Sequence, residues 1–461
     1  MSTDPHRPIY HFMPPANWMN DPNGLIQWKG QYHLFYQHYP GGAFWSTMHW
    51  GHAVSADLVH WTHLPIAMTP TPGSPDEDGC WSGCAVNHNG TPTVIYTGLS
   101  GGAQLPCLAT SRDDLLTWDK YAGNPIITSP PPGCDVPGFR DHCVWRENGE
   151  WRMIIGSGIN GVGGAAFLYR SPDLLQWRYM APLCIGDKNH TGQMWECPDF
   201  FPLGHKHVLV ISALPAGKVL YLTGAYAGDA FVPEKQGSAD DGCFYAPLSM
   251  TDSTGRRLMW GWLREERIKA AQIAAGWSGV MSLPRVLSLL PDGTLSARPV
   301  PEIECLRGRP YHLEDVELSS GSNDLLSKVK GDALEMLAEF EPGDVTRLGL
   351  QMVCSPDGVE HTDLVYDPTR SRLTMDRSHS SVSDTVQCEE QGDTLALAPQ
   401  ETLQLRVFLD KSVLEIFANG RFCLASRVYP ARADSLGFKL FVQGGCARIK
   451  SLDIWPMRSI W

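Results

Sequence analysis

Apolar and polar residues alternate through LQLRVFLDKSVLEIFANGRFCLASRVYP (403–430), on either side of turns at Asp410–Lys411–Ser412 and Ala418–Asn419–Gly420. A period of two predicts half-buried β-strands joined as hairpins. The first three hundred residues carry another pattern. The β-rich runs HWGHAV, PCLAT and AAFLYR each lead into a string with Ser, Asp, Leu and a closing Trp: SADLVHW (55–61), SRDDLLTW (111–118) and SPDLLQW (171–177). The strings recur about every 55–60 residues, the length of a four-stranded propeller blade with long loops. Ser and Asp can satisfy turn backbone groups there while the Trp opens the next strand. Asp21, WSGCAV (81–86), Asp141, Glu196 and FYAP (244–247) fall at one phase of this repeat, which gives five blades. After 276–306 the Trp-closed repeat stops and Pro and polar residues gather before short alternating strands. The expectation is an all-β chain: a five-bladed β-propeller over residues 1–304, then a C-terminal β-sandwich over 305–461.

Composition narrows the classes. A length of 461 residues exceeds what one core usually organises and suits two domains. With 50 Asp+Glu against 37 Lys+Arg the formal net charge is −13, which disfavours nucleic acid and anionic membrane as partners. Sixteen Trp, 45 Gly and 35 Pro describe a turn-rich β chain, with most Trp in the core and some free to stack on a sugar. The 13 Cys are odd in number and sparse for a disulfide scaffold, so most are expected as free thiols in a reducing compartment. Cys80 with Cys84 and Cys134 with Cys143 form no paired C-x-x-C sets, and a structural zinc site is not expected. The start, MSTDPHRPIYHFMPP, has no basic segment followed by an apolar run, and no stretch of about 18 apolar residues occurs. A soluble, cytoplasmic protein is expected, and the N-x-S/T strings at Asn89 and Asn189 would matter only after secretion.

Three acids stand in short aromatic, turn-rich strings: Asp21 in WMNDPNG, Asp141 in FRDHCVW and Glu196 in WECPDFF. In a propeller the innermost strand of each blade lines the central channel, so residues at one phase converge at one mouth. Carboxyls grouped there among aromatic residues point to a sugar-cleaving site. The plainer alternative is that two of them only cap turns.

Together with FYQ (35–37), WGHAVSADLVHW (50–61), WSG (81–83), RD (140–141), FYAP and the late DKSVLEIF, these strings stand in the order of a known family. From residue 10 to its end the chain resembles glycoside hydrolase family 32, the invertase and fructanase family. The resemblance implies that Asp21 is the nucleophile, Glu196 the general acid/base, and Asp141 the residue that binds fructosyl ring hydroxyls and stabilises the transition state. Such a retaining pair stands about 5–5.5 Å apart, and the charge of Asp21 is expected to help keep a proton on Glu196. It also implies a fructose pocket with Asn20, Gln37, Trp45, Trp81, Ser82 and Arg140, Arg140 orienting Asp141. Cys197 is read as a neutral neighbour, and His38, His49 and His52 as satisfied core or rim residues.

Two positions depart from the family pattern. His142 replaces a usual Pro, which is expected to loosen the loop beside Asp141 and add a titratable ring. Ser46–Thr47 follow Trp45 at a place that in plant members is linked to sucrose use versus fructosyl transfer. The resulting expectation is a retaining, exo-acting β-fructofuranosidase that hydrolyses sucrose and short β-fructo-oligosaccharides through a covalent fructosyl-enzyme, with no metal and no other cofactor. The alternatives are a fructosyltransferase using the same intermediate and a catalytically silent sugar-binding propeller. A phosphorylated substrate would call for extra Arg or Lys at the rim, and no such cluster stands out in the sequence.

Overall fold

The Ser and Asp of the repeated strings close turns as their chemistry requires. Asp57 Oδ1 accepts the N–H groups of Val59 at 3.0 Å and His60 at 2.8 Å. Asp173 Oδ1 accepts those of Leu175 at 3.0 Å and Gln176 at 2.9 Å. Asp113 accepts the Thr117 N–H at 2.8 Å. Each turn holds one buried Leu in the left-handed region, Leu58, Leu115 and Leu174, with φ of 68°, 70° and 68°. That conformation is strained for a branched side chain, so the Asp bonds and the buried plug must hold it together.

These turns join the third and fourth strands of successive sheets in a computed structural model that describes residues 4–320 and 325–461. The first three residues of the N-terminal segment and residues 321–324 of the expected sandwich lie outside the described residues. Five antiparallel sheets follow one another as propeller blades. Their innermost strands are Asn17–Trp28, Gly79–His88, Phe139–Glu147, Met194–Leu203 and Phe244–Thr251. A short strand before the last two of blade 5, Trp277–Ser278, pairs in parallel with Asn17–Trp28 and so ties the fifth blade to the first. Close packing fixes Gly24 there: at φ 51°, a Cβ would stand 2.9 Å from both Phe35 and Trp50.

The last blade strand ends at Pro299, a 3-10 helix runs over Pro301–Leu306, and the next strand begins at Tyr311. Beyond it, a six-stranded sheet faces a five-stranded one. Leu350, Leu364, Leu405, Ile416 and Leu440 are among the apolar side chains buried between them. This is the all-β propeller followed by a β-sandwich that the patterning describes, and the hairpins over 403–427 turn at Lys411 and Asn419–Gly420. All 13 cysteines are free thiols. Among the described residues no helix is long and apolar enough to cross a membrane.

Candidate active site

Every innermost strand is irregular where it reaches the channel mouth. Register shifts fall between Met19 and Pro22 in blade 1, Trp81 and Gly83 in blade 2, Glu196 and Asp199 in blade 4, and Tyr245 and Leu248 in blade 5. In blade 3 the shift lies opposite the stretch from Arg140 to His142. A bulge adds a residue, bends the strand and re-aims side chains that strict alternation would send to opposite faces. Asp141 and Cys197 take the left-handed conformation this requires, with φ of 60° and 46°.

The bulges gather the predicted residues into one cavity. It has a volume of about 270 Å³ and is lined by Asn20, Asp21, Gln37, Trp45, Trp81, Ser82, Arg140, Asp141 and Glu196, all nine of the residues nominated from sequence. Ser82 Oγ donates to Asp21 Oδ2 at 2.6 Å and Asn20 Nδ2 to Oδ1 at 3.0 Å. Asn20 is itself oriented by the Trp18 indole N–H at 2.7 Å. Asp141 Oδ2 accepts the Cys197 N–H at 3.0 Å. Glu196 Oε1 accepts Arg140 Nε at 3.2 Å and Nη2 at 2.6 Å, and its Oε2 accepts the Tyr245 hydroxyl at 2.6 Å. Gln37 donates to the Cys80 carbonyl, and Trp45, 53% exposed, stands edge-on to Trp81 with centroids 6.0 Å apart.

Two expectations are corrected. Arg140 was expected to orient Asp141, but its guanidinium bonds Glu196 and, through Nη1, Gln104 Oε1 at 2.9 Å. Neighbours on a strand diverge, so the Arg140 fork reaches across to the next blade while Asp141 is held by the Cys197 backbone. His142 was expected to loosen a loop and titrate. It lies instead in the strand Phe139–Glu147, paired with Ile155, and burial lowers its pKa to about 3, so the ring is neutral at working pH.

The electrostatics follow from packing three acids in one cavity. Burial raises Asp21, the bonds from Ser82 and Asn20 oppose it, and the charge of Glu196 adds to it. Burial pushes Asp141 up to about 7, against the Arg140 charge and with help from Glu196 and Asp21. Cys197 Sγ lies 3.5 Å from Asp141 Oδ2 and 3.7 Å from Asp21 Oδ2. Burial and the three carboxylates raise this thiol far above its ordinary value, so it is a neutral neighbour as expected. His38 Nδ1 donates to the Trp18 carbonyl, 2.8 Å away, and His52 packs against Phe35 beside His33.

Sequence reasoning missed three contributors. Tyr245 belongs to FYAP, whose repeat phase was noticed without a role being drawn from it. Thr97, which accepts the Asp141 N–H at 3.0 Å, and Gln104 lie in no distinctive string.

Comparison with known proteins places this constellation. The model of the glycosyl hydrolases family 32 N-terminal domain matches residues 11–299, and that of the family 32 C terminal matches residues 302–456. The chain belongs to glycoside hydrolase family 32. It is 35% identical over 490 residues to a sucrose-6-phosphate hydrolase of Zymomonas mobilis, covering 98% of this chain and 92% of that one. It is 36% identical to a levanase of Bacillus subtilis, covering 99% of this chain and 71% of the other. Among solved structures, fructan 1-exohydrolase IIa of Cichorium intybus superposes with a TM-score of 0.90 at 30% identity, over 100% of this chain and 98% of the other. A second structure of that protein, in complex with 1-kestose, gives 0.91 at the same 30% identity and coverage. This family 32 protein is thus a glycoside hydrolase with invertase-like activity, and a sugar is its substrate.

Proposed function

We propose that this hydrolase releases the terminal fructosyl group of sucrose and short β-fructo-oligosaccharides with net retention, through a covalent fructosyl-enzyme on Asp21. The observation that carries the reading is the division of hydrogen bonds between two acids in one cavity. Asp21 is held by the neutral donors Ser82 and Asn20 and keeps lone pairs for attack on C2 of fructose. Glu196 is bracketed by Arg140 and Tyr245, which fix its carboxyl at the place of the leaving oxygen.

In the first step the C2–oxygen bond breaks as the Asp21–C2 bond forms, and the Glu196 proton goes to the leaving oxygen. In the second, Glu196 takes a proton from water, whose oxygen attacks C2 and frees Asp21, so fructose leaves with its original configuration. Asp141 contributes as a carboxylate bonded to ring hydroxyls, where its charge offsets the positive charge that grows on the ring. A cavity of about 270 Å³ is small for a run of sugar units and supports exo action.

The test is product analysis over time on sucrose, sucrose 6-phosphate, kestose, inulin and levan, with Asp21→Ala as control. Equal glucose and fructose from sucrose, absent in the control, is the expected result. A fructose deficit would select transfer to a sugar, and binding without turnover would select the silent propeller.

A further inference from the structure

Next to the residue that holds Glu196, one cation has no carboxylate partner among the described residues. Arg264 follows the second strand of blade 5, Arg257–Leu263, at the channel mouth, and is half-buried. Its guanidinium carbon lies 5.1 Å from the ring centroid of Tyr245, the residue that donates to Glu196. On the blade 4 side it lies against the turn at Gly217, where φ is 62° and a Cβ would come within 2.7 Å of Arg264 Nη1. Among the described residues only its Nε is used by the side chain, donating to the Cys243 carbonyl at 3.3 Å. Among the described residues no ion pair involves Arg264. The two acids that follow it in the chain are engaged elsewhere, Glu265 by Arg267 at 3.0 Å and Glu266 by Arg377. A planar fork is thus held between a tyrosine face and a glycine, with both Nη groups unclaimed, beside the proposed proton donor.

The chemistry of that position is specific. The oxygen that receives the Glu196 proton belongs to the leaving sugar, so the leaving sugar must stand beside Glu196, whose partner Tyr245 packs against Arg264. A fixed guanidinium fork is suited to phosphate oxygens. In a chain with net charge −13, a dianionic substrate needs such a local cation to counter the general repulsion. We propose that Arg264 forms an anion subsite that recognises a phosphate monoester on the leaving sugar and so favours phosphorylated over neutral sucrose. This rests on the proposed role of Glu196 as the acid that protonates the leaving group. The subsite escaped the sequence reading because it is a single Arg positioned by two blades, not a run of basic residues.

The experiment compares kcat and KM on sucrose and on sucrose 6-phosphate, at constant ionic strength, for the parent enzyme, Arg264→Gln and Arg264→Lys. The parent is expected to prefer the phosphorylated substrate. Arg264→Gln should lose about tenfold or more in kcat/KM on sucrose 6-phosphate, mostly through KM, while sucrose changes by about twofold or less. Arg264→Lys should recover part of the loss, and inorganic phosphate should inhibit sucrose hydrolysis by the parent more strongly than by Arg264→Gln. Equal losses on both substrates would overturn the proposal and leave Arg264 as a support for Tyr245. A parent that cleaves sucrose but not its phosphate would overturn the subsite alone, whereas a parent that cleaves neither would overturn the reading of the pocket with it.

Discussion

Asp141 combines burial, a neighbouring Arg140 charge and two nearby carboxylates in one side chain, and the balance puts it at about 7. Its proposed role needs the carboxylate. As pH falls through about 7 the free enzyme gains a proton there, so kcat/KM should fall on the acid side with a midpoint near that value. Asp141→Asn should erase that limb from the activity that remains, and a limb that persisted in the variant would belong to another group. The same balance has a thermodynamic sign. A carboxyl with a raised pKa binds its proton more tightly folded than unfolded, so its contribution to stability declines as pH rises from about 4 to about 7. Asp141→Asn should therefore melt a few degrees higher than the parent at about pH 8, with the gap closing near pH 4, as thermal scans can check. Tyr245 makes the complementary case. Tyr245→Phe removes the 2.6 Å bond to Glu196 and should lower kcat/KM about tenfold or more on every fructosyl substrate, with the melting temperature little changed. Activity close to the parent's would deny the phenol a part in holding the acid.

At the scale of strands and turns, what was legible in the sequence is what local chemistry decides. Ser, Asp and the closing Trp mark the outer turns of blades 1 to 3 because side-chain bonds to nearby N–H groups need only a few residues. Blades 4 and 5 make the equivalent turns at Gly228–Asp229 and Asp292–Gly293, without that string, and only the shared phase of the innermost strands counted them. Asp21, Asp141 and Glu196 each stand in a string that forms a bulge, whereas Asn20, Gln37, Trp45, Trp81, Ser82 and Arg140 were reached only through the family resemblance. Arg140 escaped correct reading because its partner lies on another blade, 56 residues away, and nothing within its own string distinguishes Glu196 from Asp141. His142 was misread because burial, which neutralises it, is a property of the assembled propeller. The turns make a prediction of their own. Asp173→Ala removes the acceptor of two N–H groups beside the strained Leu174 and should cost about 1 kcal/mol, seen as a lower melting temperature. Because that turn lies at the end of the blade away from the mouth, kcat/KM should stay at the parent's value. A fall in activity without a fall in stability would contradict this division between scaffold and site.

Across the whole molecule, the propeller and the sandwich are joined by buried charge. The segment leading into blade 1 gives the N–H groups of Ile9, Tyr10 and His11, each at 2.8 Å, to the carboxylate of Asp410 in the sandwich. The His11 ring then bridges Asp410 at 2.9 Å and Glu415 at 3.1 Å. Glu415 also accepts Arg285 of blade 5 at 2.7 Å, and the same Arg285 Nη2 lies 2.9 Å from Asp240 of blade 4. Asp410 and Glu415 are the acids of DKSVLEIF, so this string seats one domain on the other. Burial alone would lower the pKa of His11, but hydrogen bonds to Asp410 and then Glu415 outweigh it and raise it. A group raised in this way contributes stability that is fully present below its unfolded value, near 6.5, and is lost as pH rises through its folded value. His11→Gln leaves two buried carboxylates short of a positive charge, a change on the order of 3–5 kcal/mol when the ring is protonated. The variant should therefore melt well below the parent at about pH 6, and the difference should narrow as pH rises and the parent's own His11 loses its proton. Melting temperatures of both proteins from about pH 5 to pH 9 decide it: a gap that does not change with pH would mean that the ring holds the domains together by shape and neutral hydrogen bonds, with its charge playing no part.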